Sequence, residues 1–298
     1  MRRMRVAVIT TSYCASLDDP AGHFVRAEVR DLERAGHEVR VVAPEASGAF
    51  GWPGVAARIQ ARPWRVFDAA RWVIEARLAV GRERQLDRII SHWALPCAWP
   101  IADGARAPVE VVSHGGDVRL LLGMPHALRA WIVRRIASRA DAWRFVSAEL
   151  LASLDAGLDA RDAEAVHRVA RIEACRIEMP DVREAIERRK RELHGVQLFV
   201  SAGRLIESKC VHFAIDYVAD CEKPARLVVV GDGPERVPLE AYARARGVDA
   251  RFVGKVPRPE ALAWIGAADA LLHASRAEGL STVVREAELL GTHVKRMG

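Results

Sequence analysis

Short apolar segments alternate with longer amphipathic segments along the chain, and this alternation most constrains the fold. Residues 6–10 have the apolar character of a buried strand. Residues 21–35 then place apolar side chains at helical spacing, and Gly36 follows where a helix end favours glycine. A second apolar segment, residues 39–43, comes next. Strand, helix and strand in this order indicate a parallel sheet, so the pattern predicts an α/β protein.

The same order of segments is found in both halves of the chain, which predicts two domains. The further predicted strands are residues 88–91, 109–113, 142–147, 197–202, 227–231, 250–253 and 269–274. The helices predicted in the second half are residues 234–246, 259–267 and 281–290. A charged segment, residues 181–194, is predicted to form a helix joining the halves. We therefore predict one domain at residues 1–193 and a second at residues 194–298.

Composition excludes several classes of protein. A chain of 298 residues, 50% hydrophobic and 28% charged, suits two globular domains. The most apolar stretch, residues 89–102, includes a histidine and two prolines and is too short to span a bilayer. Five cysteines without a Cys-x-x-Cys pair argue against a disulfide framework and against a zinc site. The sequence therefore predicts a cytoplasmic protein without a bound metal.

Positive charge is concentrated in one segment. The chain carries a net charge of +6, and residues 51–100 contain eight arginines against four acidic residues, with five tryptophans among them. A basic segment rich in tryptophan can lie on an anionic membrane surface. The simpler interpretation is an arginine-rich composition with the tryptophans in the core. No nucleic-acid-binding motif accompanies the charge, so nucleic acid is not a predicted partner.

Two cations follow the first strand of the second domain. Gly203-Arg204-Leu205 closes that strand, and Lys209 comes five residues after Arg204. The carboxyl end of a strand is where open α/β sheets bind ligands. Arginine can bind phosphate through two hydrogen bonds, and lysine adds a compact charge. A basic pair in a loop is also common on a solvated surface, so this pair alone does not define a site.

Two glycine-containing runs follow the next strands. Gly231-Asp232-Gly233-Pro234 ends one strand, and its glycines allow a close approach of the backbone to a ligand. The same run also forms ordinary turns. The weaker run Phe252-Val253-Gly254-Lys255-Val256 ends the following strand.

The segment from Glu278 to Glu286 contains two glutamates eight positions apart, after an apolar strand and at the start of a helix. The backbone amides of residues 279–282 would lie at the helix N-terminus, which favours anions. The Glu278 carboxylate could accept hydrogen bonds from sugar hydroxyls. Glu286 lies roughly 7 Å along the helix and could bind a second polyol such as a ribose.

These motifs, in this order, resemble the retaining GT-B glycosyltransferases of family four. The first half agrees through Gly22-His23-Phe24-Val25, Ser91-His92-Trp93 and Ser113-His114-Gly115-Gly116-Asp117. Met179-Pro180-Asp181-Val182 resembles the hinge before the second domain. The resemblance covers about residues 5 to 294. It implies two Rossmann-like domains facing a cleft, an acceptor-side domain first and a domain that binds the donor nucleotide second.

The resemblance also implies roles for individual residues. The residues implied at the donor phosphates are Gly22, Arg204, Lys209, Gly279, Leu280 and Ser281. Glu286 would bind the ribose, and Gly231, Lys255 and Val256 would meet the base. His114 and Glu278 would contact the transferred sugar, as the candidate catalytic residues.

The implied reaction moves a sugar from a nucleotide-diphosphate sugar to a glycan, lipid-linked or small-molecule acceptor. Preorganised cations and amides would stabilise the departing diphosphate, so neither a metal nor a cofactor is predicted. Anomeric configuration would be retained, with the departing phosphate helping to deprotonate the acceptor.

Several histidines and one aspartate allow structural as well as functional interpretations. His92 fits a core position beside Trp93 about as well as it fits a site. His114, before two glycines, favours function, and His273 in an apolar strand favours structure. Asp117 is as suited to capping a helix as to binding substrate.

The end of the chain departs from the family pattern. After residue 294 the family continues with another strand, loop and helices, whereas this sequence ends with Lys295-Arg296-Met297-Gly298. We therefore expect an incomplete second domain in which the strand at residues 269–274 leaves a sheet edge unpaired. The alternative to an active transferase is an inactive remnant with weak nucleotide binding. A nucleotide-sugar dehydrogenase or epimerase is disfavoured because residues 10–13 replace the glycine-rich loop expected after the first strand. An epimerase with the GT-B fold that acts on a nucleotide sugar stays open as an alternative.

Overall fold

The computed structural model divides into two compact units, and it describes residues 2–14, 16, 19, 22–50, 54–193, 195–275 and 281–297. Unit 1 comprises Met1–Cys14 and Ala21–Arg176, and unit 2 comprises Ala15–Pro20 and Ile177–Gly298. Each unit contains one parallel sheet with helices between its strands, which confirms the predicted α/β class.

Unit 1 contains a six-stranded sheet. Its strands are β1 (Arg5–Ile9), β2 (Glu38–Val42), β3 (Arg88–His92), β4 (Val109–Ser113), β5 (Ala140–Phe145) and β6 (Ala170–Ile172). Their order is β2-β1-β3-β4-β5-β6, and all neighbours are parallel. The strand order reverses between β1 and β3, and such a switch point is where open α/β sheets bind ligands.

The helices of unit 1 connect these strands. They are α1 (His23–Arg34), α2 (Val55–Ala61), α3 (Arg65–Arg82), α4 (Gly116–Leu122), α5 (His126–Arg139), α6 (Ala148–Asp155) and α7 (Ala160–His167). The end of α1 confirms the predicted glycine cap. Gly36 has a φ of 85°, and the amide of His37 donates to the carbonyl oxygen of Leu32 at 3.0 Å.

Unit 2 contains a five-stranded sheet. Its elements are α8 (Arg183–Glu192), β7 (Gln197–Ala202), α9 (His212–Ala219), β8 (Ala225–Val230), α10 (Arg236–Ala245), β9 (Asp249–Gly254), α11 (Arg258–Ala267), β10 (Ala270–His273), α12 (Thr282–Leu289) and β11 (His293–Arg296). The sheet order is β11-β10-β7-β8-β9, with parallel neighbours throughout. The first strand, β7, is therefore central, and the switch point lies between β7 and β10.

Apolar side chains on both faces of this second sheet form its core. On β8, Leu227 and Val229 pack on one face, while Val228 and Val230 pack on the other. A strand covered by helices on both sides needs an unbroken apolar run, because alternate side chains point to opposite faces. This explains why β8 could be predicted from its sequence alone.

One expectation about this sheet is wrong. The strand at residues 269–274 was expected to leave a sheet edge unpaired, but β11 pairs with β10 in parallel from His293 to Arg296. This short segment has one strongly apolar residue, Val294, so its sequence lacks the signal of a buried strand. Pairing with the exposed edge of β10 supplies the hydrogen bonds instead.

The predicted connecting helix forms as α8 and packs within unit 2. The domain boundary predicted after residue 193 differs from the compact units, which divide after Arg176. The reason lies in packing: Val182 and Ile186 form a buried cluster with Leu262 and Ala263 of α11. A Cβ added to Gly266 would lie 2.4 Å from Cδ1 of Ile186, so the two helices are in close contact.

Candidate active site

The predicted cations lie at the carboxyl end of the central strand of unit 2. Arg204 follows β7 after Gly203, and Lys209 ends the short helical turn Glu207–Lys209; both side chains are half-buried. His273 ends the neighbouring strand β10. Burial, followed by the charge of Lys209, lowers the pKa of His273 to about 4. His273 is therefore neutral near pH 7, and the switch point of this sheet is electropositive.

The glycines after β8 are required by packing between loops. A Cβ on Gly231 would lie 1.8 Å from the carbonyl oxygen of Gly203, and Gly231 has a φ of 134°. A Cβ on Gly233 would lie 2.3 Å from the carbonyl oxygen of Leu205. The amide of Leu205 donates to the carbonyl oxygen of Asp232 at 3.0 Å. These contacts hold the Arg204 loop against the end of β8, and the contact of Gly231 with a base stays a prediction.

The other predicted base-binding residues lie at the end of β9. The carbonyl oxygen of Gly254 accepts a hydrogen bond from the amide of Gly231 at 2.9 Å, so the two strand ends are adjacent. Lys255 is exposed, whereas Val256 is half-buried against the apolar core. Their position at this edge is compatible with base binding through backbone groups.

Glu286 forms a buried ion pair that the sequence did not indicate. Its Oε1 accepts hydrogen bonds from Nε and Nη2 of Arg258 at 2.9 and 2.8 Å. Arg258 is 2% exposed and Glu286 is 7% exposed. Burial raises the pKa of the Glu286 carboxyl, and the charge and hydrogen bonds of Arg258 oppose this rise. Arg258 thus holds the predicted ribose-binding carboxylate in one orientation.

The remaining predicted residues of this motif are only partly described. Glu278, Gly279 and Leu280 lie outside the described residues. Ser281 immediately precedes α12, is half-buried, and its carbonyl oxygen accepts the first helical hydrogen bond from the amide of Arg285 at 3.2 Å. The helix predicted at residues 281–290 is therefore confirmed as α12.

Two histidines meet at the carboxyl edge of the sheet in unit 1. His92 ends β3, and His114 directly follows β4. Nδ1 of His92 lies 3.0 Å from Nε2 of His114, and the ring planes differ by 19°. The ring centroids are 5.2 Å apart, much farther than these nitrogens, so the rings meet through their edges. His92 is fully buried and His114 is partly accessible.

Asp117 holds the two histidine loops together. Its Oδ1 accepts hydrogen bonds from the amides of His114 and Gly115 at 3.1 and 3.0 Å. Its Oδ2 accepts one from the amide of Ala94, two residues beyond His92, at 2.8 Å. With 2% exposure, Asp117 is a structural carboxylate.

Gly22 lies at the start of α1, beside the switch point of the same sheet. It has a φ of 76°, and a Cβ there would lie 2.5 Å from the carbonyl oxygen of Ser12. Glycine is therefore required by conformation and by space. Phe24, two residues on, places its ring 4.7 Å from that of His114. The predicted phosphate contact of Gly22 stays a prediction.

A network of charges lies behind the histidines, with Glu110 and Arg144 buried and Glu28 and Arg88 half-buried. Arg144 on β5 contacts Glu28 of α1 and Glu110 of β4, and Glu110 also pairs with Arg88 of β3. Oε2 of Glu28 lies 3.5 Å from Nε2 of His92. Sequence spacing could not reveal this network, because its members come from four elements that only the sheet order brings together.

Neither a metal-binding cluster nor a membrane-spanning helix occurs among the described residues. Within these ranges, no three histidine, cysteine, aspartate or glutamate side chains converge in a way that could hold a metal ion. No helix formed by these residues combines the length and apolar character needed to cross a bilayer.

The two parallel sheets form a GT-B fold, and the family models that match both halves of the chain identify a glycosyltransferase. The model of the family "Glycosyltransferase Family 4" matches residues 21–171, and the model of the family "Glycosyl transferases group 1" matches residues 182–294. The chain belongs to glycosyltransferase family 4.

Similar proteins include bacterial and plant enzymes. The TuaC glycosyltransferase of Bacillus subtilis, named for teichuronic acid biosynthesis, is 24% identical over 95% of this chain and 78% of its own. The 2-deoxystreptamine glucosyltransferase of Streptomyces kanamyceticus is 35% identical over 40% of this chain and 34% of its own.

Solved structures show the same fold at low sequence identity. Anabaena HepE in complex with UDP-glucose has a TM-score of 0.68 at 16% identity, covering 99% of this chain and 80% of HepE. The catalytic domain of starch synthase IV from Arabidopsis thaliana, bound to ADP and acarbose, has a TM-score of 0.67 at 15% identity. The match covers 99% of this chain and 83% of that catalytic domain.

Proposed function

We propose that this chain transfers a hexosyl group from a nucleotide-diphosphate sugar to an acceptor hydroxyl, with retention of configuration and without a metal. The observation that best supports this is the placement of Arg204 and Lys209 at the switch point of the second sheet. As the glycosidic bond breaks, negative charge develops on the leaving diphosphate. Fixed cations stabilise that charge without reorganisation, which is the largest catalytic term in many enzymes.

The other predicted residues complete this proposal. Glu286, oriented by Arg258, accepts hydrogen bonds from the ribose hydroxyls. Glu278 and His114 contact the transferred sugar, and the departing phosphate takes the acceptor proton. The phosphates are also approached by Gly22 and by the amides of residues 279–281. Gly231, Lys255 and Val256 meet the base.

The donor base is not fixed by similarity. The HepE structure contains UDP-glucose, whereas the starch synthase structure contains ADP. A screen of UDP-, GDP- and ADP-hexoses that measures release of the nucleoside diphosphate tests the proposed reaction. We expect one donor to be used, a product with the donor's anomeric configuration, and full activity in EDTA.

Three results of this screen would contradict the proposal. They are an inverted product, a requirement for a divalent cation, and transfer that the Glu286→Ala variant leaves unchanged. Nucleotide binding without any transfer would favour the inactive remnant.

We further propose a sugar or lipid-linked acceptor of polysaccharide biosynthesis, used on the cytoplasmic face of a membrane. An exposed apolar surface formed by α3 and the residue that precedes it, called the α3 surface, supports this. It consists of Trp64, Phe67, Ile74 and Leu78, which are 54%, 75%, 58% and 50% exposed. Phe67, Ile74 and Leu78 recur at positions i, i+7 and i+11, so they share one face of the helix.

The charge around the α3 surface fits an anionic lipid layer. Residues 54–82 contain six arginines and two acidic residues. The side chains of Arg62, Arg71 and Arg82 are exposed. Each basic residue near an anionic leaflet contributes about 1 kcal/mol, and an apolar helix face can enter the headgroup region. An apolar helix face flanked by arginines is therefore better suited to contact with an anionic membrane surface than to exposure to water.

Vesicle flotation tests the α3 surface. We expect the chain to float with vesicles containing anionic phosphatidylglycerol and to dissociate at high salt. The paired substitutions Phe67→Ser and Ile74→Ser should abolish flotation, because they remove the exposed apolar contacts. Val237→Ser is the matched control, since Val237 is 73% exposed on α10.

Two outcomes of the flotation experiment would contradict the proposed membrane contact of the α3 surface. One is the absence of binding by the unmodified chain at low salt. The other is self-association through the α3 surface, seen as a dimer that the paired substitutions dissociate, with no vesicle binding.

A further inference from the structure

A continuous chain of polar contacts leads from His114 into the interior of unit 1. His114 Nε2 meets His92 Nδ1 at 3.0 Å, and His92 Nε2 lies 3.5 Å from Glu28 Oε2. The other oxygen of Glu28 accepts a hydrogen bond from Arg144. On the opposite side of its ring, His114 Nδ1 lies 3.6 Å from Sγ of Cys175.

Chemistry fixes the direction of this chain, starting from Arg144. A guanidinium can only donate, and an ionised carboxylate can only accept. Glu28 therefore accepts from Arg144 through one oxygen and presents an acceptor to His92 Nε2 through the other. His92 Nε2 is buried and makes no hydrogen bond within the described residues, and Oε2 of Glu28 is the acceptor that faces it, at 3.5 Å. The proton of His92 is thus on Nε2, and its Nδ1 is an acceptor.

The same logic then fixes His114. Because His92 Nδ1 accepts, His114 Nε2 must carry the proton that it donates. His114 Nδ1 is left as an acceptor, facing the weak thiol donor of Cys175. Both rings are neutral at pH 7, since burial above all lowers the pKa of each to about 3. For His114, the positive charge of His92 when it is protonated and the charge of Arg144 lower the pKa further, while Asp117 opposes this.

We propose that His92, held by Glu28 and Arg144, is a positioning residue that fixes His114 as an acceptor for a substrate hydroxyl through Nδ1. This rests on the proposed function, in which His114 contacts the transferred sugar. A sugar hydroxyl is a stronger donor than a thiol, so substrate would replace the contact with Cys175. Phe24 and Trp93 pack with ring centroids 4.7 and 4.8 Å from that of His114 and limit its rotation.

Glu28→Gln provides the sharpest test, because it should reverse the direction of the hydrogen bonds between residue 28, His92 and His114. Arg144 still requires an oxygen, so the amide nitrogen of Gln would face His92 and donate. His92 would then carry its proton on Nδ1, and His114 would carry its proton on Nδ1. Glu173→Gln is the matched control. Glu173 also contacts Arg144, at 3.5 Å, but its side chain is largely exposed to solvent.

Nitrogen-15 NMR of histidine-labelled protein reads these protonation states directly. In the unmodified chain and in Glu173→Gln, we expect the proton of His114 on Nε2. In Glu28→Gln, we expect it on Nδ1. The proton on Nδ1 in the unmodified chain would overturn the proposal, as would no change in Glu28→Gln.

Kinetics tests the catalytic consequence. We expect His92→Phe and Glu28→Gln to lower kcat on the order of tenfold to a hundredfold, the range found when a residue that orients a metal-ligating histidine is lost. Affinity for the nucleoside diphosphate should be unchanged. His92→Asn, which keeps an acceptor toward His114, should recover part of kcat. Thermal unfolding shows whether each variant is folded, and a merely stabilising network would alter the unfolding temperature while leaving kcat intact.

The two levels of the proposal fail in different ways. An unmodified chain that binds a nucleoside diphosphate but transfers no sugar would overturn the proposed function, and the positioning role with it. An active chain in which folded His92→Phe and Glu28→Gln transfer as fast as the unmodified chain would overturn the positioning role alone.

Discussion

Lys209→Ala is expected to lower kcat for sugar transfer by about 10²- to 10³-fold, with a smaller effect on donor KM. Lys209 lies at the switch point of the second sheet, where its charge already lowers the pKa of His273. Removing one preorganised hydrogen-bond donor that meets developing charge costs about this much in a hydrolase. Steady-state kinetics with the preferred donor measures the change.

A lysine at the amino ends of the strands of the same sheet provides the control for Lys209→Ala. Lys223 is exposed in the turn before β8, at the amino end of the strands. Lys223→Ala removes the same charge and should leave kcat unchanged. Equal kcat values for the two variants would show that Lys209 does not act on the leaving group.

Arg258→Ala is expected to lower the free energy of unfolding by about 3–5 kcal/mol, because it leaves the Glu286 carboxylate buried without its cation. Chemical denaturation followed by circular dichroism measures this. The double variant Arg258→Met with Glu286→Leu should recover most of the loss, since it removes both charges and keeps the volume. A single variant as stable as the unmodified chain would show that the ion pair does not support the fold.

The pH dependence of this loss has a defined sign. Without Arg258, burial alone raises the pKa of Glu286. A raised carboxyl pKa destabilises the folded state above that pKa, and this cost disappears as the carboxyl is protonated. The stability difference between Arg258→Ala and the unmodified chain should therefore shrink as the pH falls from neutral toward 5.

Much of the fold could be predicted because parallel sheets have a strong sequence pattern. Strand β8 needed an unbroken apolar run, and glycine at position 36 marked the end of α1. Strand β11 could not be predicted, because its stability comes from pairing with β10 more than from its own side chains. The predicted domain boundary differed from the compact units because α8 is charged on its surface while its few apolar residues pack on α11.

The candidate site was predictable in position more than in its internal contacts. Arg204 and Lys209 could be placed because the carboxyl end of a strand is readable from sequence. The partner of Glu286 could not, because Arg258 lies 28 positions away and only the packing of α11 and α12 joins them. His92 appeared as either a core or a functional residue. The structure shows that it is fully buried and contacts His114, so a core position is consistent with the positioning role that we propose for it.

The central claim is a donor-nucleotide site at the carboxyl ends of the strands of the second sheet. Calorimetric titration of the purified chain with UDP, GDP and ADP tests it most directly. We predict micromolar binding of one nucleotide, lost in Arg204→Ala and kept in Lys223→Ala. A folded chain that binds none of the three, or one whose binding survives Arg204→Ala, would contradict this account.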